Sequence, residues 1–144
     1  MVRQHGYSLI EVLVAVLVLS VGVLGVAGLQ LLSLQHNTSS MYRTQAVQAA
    51  YDIIDRARAN RQSDYSLALD ASAPSDPDCQ AQNCSRTQMR DHDLAVWRLA
   101  LQEQLPEGGG SVTLDGGQIE VRVRWQDSRQ ADAAPVELNV RTAL

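Results

Sequence analysis

From Leu9 to Leu29 the chain is an almost unbroken run of Val, Leu, Ile, Ala and Gly. A helix over this run spans roughly 32 Å at about 1.5 Å per residue, enough for a hydrocarbon core about 30 Å thick. Past Leu34 the sequence turns polar through "QHNTSS" without a glycine or proline to stop a helix. Val47, Ala50, Ile54 and Ala57 then recur at three- and four-residue steps and mark one apolar stripe. Two continuations are open: "HNTSS" forms a loop, or one helix runs from about Tyr7 to about Arg61, roughly 80 Å long. The segment "SDYSLALDASAPSDPDCQAQNC" reads as a loop from its Ser, Pro and Asp content. Ser85 and Gln88 form an S-x-x-Q capping box that opens a second helix, with Leu94, Trp97, Leu101 and Leu105 as its stripe and "PEGGG" as its stop. Beyond it the period changes to two. Ile119, Val121, Val123 and Trp125 alternate with Glu120, Arg122 and Arg124, "SVTLDGGQI" supplies a preceding strand and a tight Asp115-Gly116-Gly117 turn, and Val136, Leu138 and Val140 repeat the alternation. The fold class expected is α+β: a long N-terminal helix, its first half membrane-spanning, packed on a C-terminal antiparallel sheet, with a second helix between.

Charge sharpens the division. Between Arg3 and Arg43 the only Asp, Glu, Lys or Arg is Glu11. The apolar run is too long for a cleaved secretory signal, and no small-residue cleavage site follows it. With Arg3 before the span and no Lys or Arg after it until Arg43, the positive-inside tendency puts the amino terminus in the cytoplasm. The whole chain carries a net charge of −4, and all of its 12 basic Lys+Arg positions are arginine. That acidic balance argues against electrostatic capture of nucleic acid.

Glu11 is the residue that needs explaining. An acid inside a membrane helix costs on the order of 2.5–3.5 kcal/mol at the centre and less near an interface, and such residues usually have a partner or a function. Here a short leader "MVRQHG" ends in glycine, aromatic Tyr7 follows, and the carboxylate stands five residues beyond the glycine. This arrangement resembles the prepilin signal of type IV pili and type II secretion pseudopilins. The resemblance implies cleavage by prepilin peptidase between Gly6 and Tyr7, N-methylation of Tyr7, and an assembly role for Glu11. Tyr7 departs from the usual phenylalanine but keeps the ring. In the family's assembly scheme the new amine pairs with the glutamate of a neighbouring subunit. Two unit charges about 4 Å apart at an effective dielectric near 20 attract by roughly 4 kcal/mol before desolvation. Burial cancels much of that, so the pair acts chiefly on register.

"SVGVLGVAGLQ" and "AYDIIDRARANR" are similar to the PilV type of minor pilin, a likeness that covers residues 1 to about 61. The domain layout implied is a leader over 1–6, a transmembrane and assembly helix over 7–34, and a periplasmic globular domain over 35–144. Gly22, Gly25 and Gly28 serve either close helix packing or weakened helicity; the absence of a proline there is a departure from major pilins. The function implied is a minor pilin that primes or modifies a type IV pilus, held in the inner membrane by a single span and then incorporated into the extracellular fibre. Its implied partners are prepilin peptidase, other minor and major pilins and the inner-membrane assembly platform. A type II secretion pseudopilin is the nearest alternative, and a tip adhesin or DNA-binding module is a second.

The remaining chemistry is sparse. Cys79 and Cys84 lie in a segment that this topology puts outside the cytoplasm, which favours a disulfide. Zinc would need a fourth ligand beyond Cys79, Cys84 and His92, and Asp70, Asp76 and Asp78 lack the spacing and glycine of a calcium loop. His92 reads as a surface or capping residue. No phosphate loop, metal cluster or nucleophile elbow is present, so no cofactor and no enzymatic activity are expected.

Overall fold

The computed structural model describes residues 8–127 and 134–144, with the side chain of Gln35 left aside. Gly6 and Tyr7 lie outside the described residues. The elements in chain order are α1 (Leu9–Ala59), α2 (Arg86–Gln104), β1 (Gly109–Asp115), β2 (Gln118–Trp125) and β3 (Val136–Ala143). The three strands form one antiparallel sheet in the order β1-β2-β3. This is the α+β layout expected from the pattern, and "HNTSS" continues α1 as helix. The chain divides into two compact units, Met1–Thr38 and Ser39–Leu144.

In the first unit the described part of α1 is covered by nothing. Its large apolar side chains from Leu9 to Leu34 range from 51% exposed at Val12 to 85% at Leu9. A window of this helix reaches a mean hydropathy of 2.8 with none of it buried, long and apolar enough to cross a membrane. A continuous apolar surface of this size requires a non-aqueous or protein environment around it.

The second unit has its own core. The outer part of α1 supplies Ala46, Ala50, Ile53, Ile54 and Ala57; α2 and its cap supply Leu94, Trp97, Leu101 and Leu105; the sheet supplies Val112, Ile119, Val121, Val123 and Trp125. One expectation is corrected here. Val47 is 38% exposed, and Ala46 takes its place on the buried face. The buried set falls at i, i+4, i+7, i+8 and i+11 from Ala46, one stripe of a 3.6-residue helix, and Val47 lies a full residue's rotation away from its centre. Alanine at three of these positions lets the helix approach its partners closely.

Trp97 shows how closely. Its indole N–H donates to the carbonyl of Ala49 in α1 at 2.9 Å, while its far edge faces Gly110 in β1. A Cβ added at Gly110 would stand 2.5 Å from Trp97 Cη2 and 2.8 Å from Leu101 Cδ1. No side chain larger than hydrogen fits between α2 and β1 at that point, so the glycine is there for close approach.

β1 and β2 are joined by a two-residue turn, Gly116-Gly117, closed by the Asp115–Gln118 pair. Both glycines have positive φ, 56° and 78°, as a type I′ hairpin turn demands. Ile119, Val121, Val123 and Trp125 face inward, as their alternation predicts. The outward face is a ladder of compensated charge: Glu120 opposes Arg141, Arg122 opposes Asn139, and Arg124 opposes Glu137. β3 is an edge strand and is only half-buried along its inner positions.

Candidate assembly site

Ser8 stands just before α1, and its carbonyl accepts the N–H groups of Glu11 at 3.0 Å and Val12 at 3.3 Å. Glu11 therefore occupies the first turn of α1. There its carboxylate meets the positive end of the helix dipole, an interaction worth about 0.3–1 kcal/mol at an exposed site. Its side chain is exposed, with apolar residues around it and no charged residue on the helix until Arg43. Gly22, Gly25 and Gly28 lie within unbroken helix, and a Cβ at any of them would meet nothing within 4 Å. Among the described residues they pack against nothing, so a close-packing role for them calls for a second chain.

The other end of α1 is built differently. Two arginines two residues apart diverge to hold the two layers around the helix. Arg56 donates through Nε to Asp52 at 2.9 Å, one turn back, and through Nη1 to Asp93 of α2 at 3.0 Å. Arg58 pairs with Asp55 at 3.2 Å and donates through Nη2 to Thr142 Oγ1 at 3.1 Å and the carbonyl of Ala143 at 2.9 Å, at the end of β3. The Asp52–Arg56 and Asp55–Arg58 pairs are those the helical spacing predicts. What spacing could not predict is Asp93, whose side chain is 8% exposed. A buried carboxylate is costly unless it is paired. Asp93 accepts from Arg56 on one oxygen and from the Tyr65 hydroxyl on the other, at 2.6 Å. Burial, and then donation to Asp93, push the Tyr65 phenol well above its ordinary value. For Arg56, burial works against the charge, but donation to Asp93 and Asp52 outweighs it and its pKa is raised. Asn60 completes the clasp, donating to the carbonyl of Arg86 at 2.8 Å and to Tyr65 at 3.3 Å.

Beyond Tyr65 and the backbone pairing of Leu67 with Val112 at 2.9 Å, the loop between α1 and α2 is tied down in three more places. Cys79 and Cys84 form a disulfide, with their Cα atoms 5.5 Å apart. His92 faces Asp76, with Nδ1 at 2.7 Å from Oδ1. That corrects the expectation of a surface histidine: His92 is buried, because the loop folds back over α2. The hydrogen bond from His92, and next that from the Asp78 N–H, hold the Asp76 carboxyl below its ordinary value. Arg98, also buried, donates through Nη2 to the carbonyls of Ala68, Leu69 and Ala71 at 3.0, 2.7 and 2.7 Å. Among the described residues no group of three or more His, Cys, Asp or Glu is placed to hold a metal ion.

Two family models match adjoining stretches that together span residues 1–95. The prokaryotic N-terminal methylation motif covers residues 1–27, and a model described as type IV pilin Tt1218 covers residues 28–95. The chain belongs to the type IV pilin family. Neither the curated proteins nor the solved structures gave a match to it.

The two matches meet inside α1 of this pilin, and between them they take in both ends of that helix. The methylation motif holds the Glu11 turn; the pilin match holds Arg56, Asn60, Tyr65, both cysteines, Asp76, His92 and Asp93. The sheet, from Gly109 onward, lies beyond both. Asp93, Tyr65 and Arg98 are the residues that sequence reasoning passed over. A signal existed for Asp93: it falls four residues before Trp97 on the buried stripe of α2, where an acid is out of place unless something meets it.

Proposed function

We propose that this pilin is a minor subunit of the PilV type, which primes or modifies a type IV pilus. Prepilin peptidase cuts it between Gly6 and Tyr7, Tyr7 is N-methylated, and the protein waits in the inner membrane with its amino terminus cytoplasmic before it enters the fibre. The observation that carries this reading is the contrast between the two units. Residues 39–144 have a closed core, whereas the helix before them is apolar, wholly exposed and interrupted by one carboxylate in its first turn. Such a helix meets its energetic needs first in lipid and then among like helices. A single acid in that setting disfavours every register in which it lacks a cation.

Intact-mass measurement of the membrane-extracted protein tests the processing: loss of residues 1–6 and one methyl group on the new terminus are expected, and an unprocessed chain overturns the proposal. Assembly is tested by Glu11→Gln, expected to abolish recovery in sheared fibres while leaving the protein in the membrane. Deleting the gene separates the two machines. Loss of pili or twitching supports the pilus, and loss of exoprotein secretion supports a pseudopilin instead. A DNA-binding tip module is disfavoured by the sheet register, in which Arg141 and Arg124 each stand opposite a glutamate and so present little free positive charge.

A further inference from the structure

The two edges of the sheet are finished differently. On β1 the outward backbone groups of Val112 are taken by Leu67, N–H to carbonyl in both directions at 2.9 Å. On β3 the phase of the ladder is set by Leu144, whose N–H donates to the carbonyl of Gly117 at 3.0 Å. In an antiparallel pair the residues that exchange backbone bonds alternate with those that turn them away. Even-numbered residues of β3 therefore face β2, and Glu137, Asn139, Arg141 and Ala143 turn their N–H and C=O groups outward. The Ala143 carbonyl accepts from Arg58 Nη2 at 2.9 Å, and no other outward backbone group of β3 has a partner among the described residues. Folds usually blunt such an edge with a proline, a bulge or an inward-pointing charge. β3 instead keeps an unbroken register with β2, and its inner row of Val136, Leu138, Val140 and Thr142 is half-buried. Val47 and Tyr51, 38% and 51% exposed, share the face of α1 from which Arg58 reaches β3, so uncovered apolar surface continues on that side.

The outer row of β3 decides what fits. Glu137 and Arg141 lie on one face of the strand, and no ion pair among the described residues includes either. The β2 residues opposite them lean elsewhere: Arg124 stands 3.9 Å from Asp70, and Glu120 stands 3.9 Å from Arg122. A second β3 arriving antiparallel bonds only where outward-facing residues oppose one another. In the register centred on Asn139, each Glu137 meets the partner's Arg141, and each Arg141 meets the partner's Glu137. Centred on Leu138 or Val140 instead, no acid meets a base. The Asn139 register also sets Leu138 against the partner's Val140 on the inner row, and it leaves the occupied Ala143 carbonyl out of the joint. Across the joined sheets one row then reads Arg124, Glu137, the partner's Arg141 and the partner's Glu120, alternating in sign at every step.

We propose that β3 pairs antiparallel with the β3 of a second copy of this chain, across a two-fold centred on Asn139, so that two sheets become one. The pairing is strand addition at an open edge, made self-complementary by the Glu137 and Arg141 positions. The two-fold stands perpendicular to the sheet and reverses whatever packs on it, the outer part of α1 included. Subunits along one fibre share a polarity, so the pair joins copies carried on separate fibres; that consequence rests on the fibre reading above, and the pairing itself does not.

The test uses the full chain in detergent micelles and mild oxidation of single cysteine variants. Residues opposed in the bonded positions of an antiparallel pair have Cα atoms about 5.5 Å apart, within disulfide reach. Asn139→Cys should therefore crosslink to itself. Glu137→Cys lies roughly 14 Å from its own copy, four residues along the strand, and should crosslink at least tenfold less alone but readily when mixed with Arg141→Cys. Glu137→Arg and Arg141→Glu, each added to Asn139→Cys, should each lower the crosslink at least tenfold, and mixing the two should restore it. Circular dichroism confirms that each variant is folded. A folded Asn139→Cys chain that forms no crosslink overturns the pairing; equal crosslinking at positions 137 and 139, or no recovery in the charge-swapped mixture, overturns the register. Crosslinking of Asn139→Cys in intact cells only to a different protein overturns the second-copy assignment. Failure of leader cleavage or of fibre incorporation would sink the fibre reading and leave these crosslinks unchanged.

Discussion

The indole N–H of Trp97 donates to the carbonyl of Ala49, 2.9 Å away and 48 residues earlier in the chain. Trp125, the other tryptophan, is equally buried, yet its indole N–H has no partner among the described residues. The same substitution therefore asks two different questions. Trp→Phe removes comparable volume at both sites, but at position 97 it also leaves the α1 contact unmade, while at 125 it removes an unsatisfied donor. Trp97→Phe should be the more destabilising of the two by about 1–2 kcal/mol, from the cost of losing one buried hydrogen bond and the relief of an orphaned one. Urea unfolding of both variants, read by far-UV circular dichroism, gives the difference directly. Equal losses would mean that the Trp97–Ala49 bond contributes nothing net.

Gly110 should tolerate no side chain. Its Cβ would press on the Trp97 ring and on Leu101, with the carbonyl of Arg122 3.0 Å away on the other side. Gly110→Ala is expected to cost about 1–3 kcal/mol as overpacking, seen as a lowered unfolding midpoint with an unchanged urea slope. Gly116→Ala meets no atom within 4 Å, so any loss there comes from its positive φ alone.

Asp93 should behave as a buried anion whose partners matter more than its own presence. Arg56→Met leaves that carboxylate with the Tyr65 hydroxyl but without its cation, and a loss of about 2–3 kcal/mol is expected, below the range for fully buried pairs because Arg56 is about one-third exposed. Replacing both, Arg56→Met with Asp93→Leu, should recover a good part of that loss. A double-mutant cycle measures the coupling; additive losses would show that the clasp is not a unit.

Tyr65 should resist ionisation. Burial and its bond to Asp93 raise its folded pKa above the value of about 10 for a free phenol. A raised folded pKa means that the stabilisation is fully present below the unfolded value and is lost as pH climbs toward the folded one. Stability should therefore decline above about pH 10, and Tyr65→Phe should flatten that decline. Absorbance at the tyrosinate band, followed alongside circular dichroism, checks it: the Tyr65 signal should appear only as the fold is lost.

The disulfide should be less important than its position suggests. It closes a short loop, for which chain entropy predicts at most about 2 kcal/mol. The same loop is also held by His92 on Asp76 and by Arg98 on three carbonyls. The double variant Cys79→Ser with Cys84→Ser should lose no more than that amount and keep the His92 environment, as read by its ring proton shifts. A collapse of α2 packing would overturn the triple anchoring.

Features set by one element's own period were legible in the residues alone. The apolar span, the break in charge at Glu11, the capping box at Ser85, the Gly116-Gly117 turn and the inward face of β2 each depend on neighbours a few residues apart, and local pattern carries such information. The choice of Val47 over Ala46 failed at the margin of that method, because a stripe's centre shifts with whatever covers it. The partnerships of Asp93, His92 and Arg98 were not legible at all. Each side chain was placed by a segment 16 to 37 residues away, and the sign and burial of a charge are decided by what the folded chain brings to it. By itself the sequence determined that this protein has a membrane-compatible helix and a helix-and-sheet layer; only tertiary structure decided which polar groups lie inside that layer, since burial is a property of contacts and not of spacing.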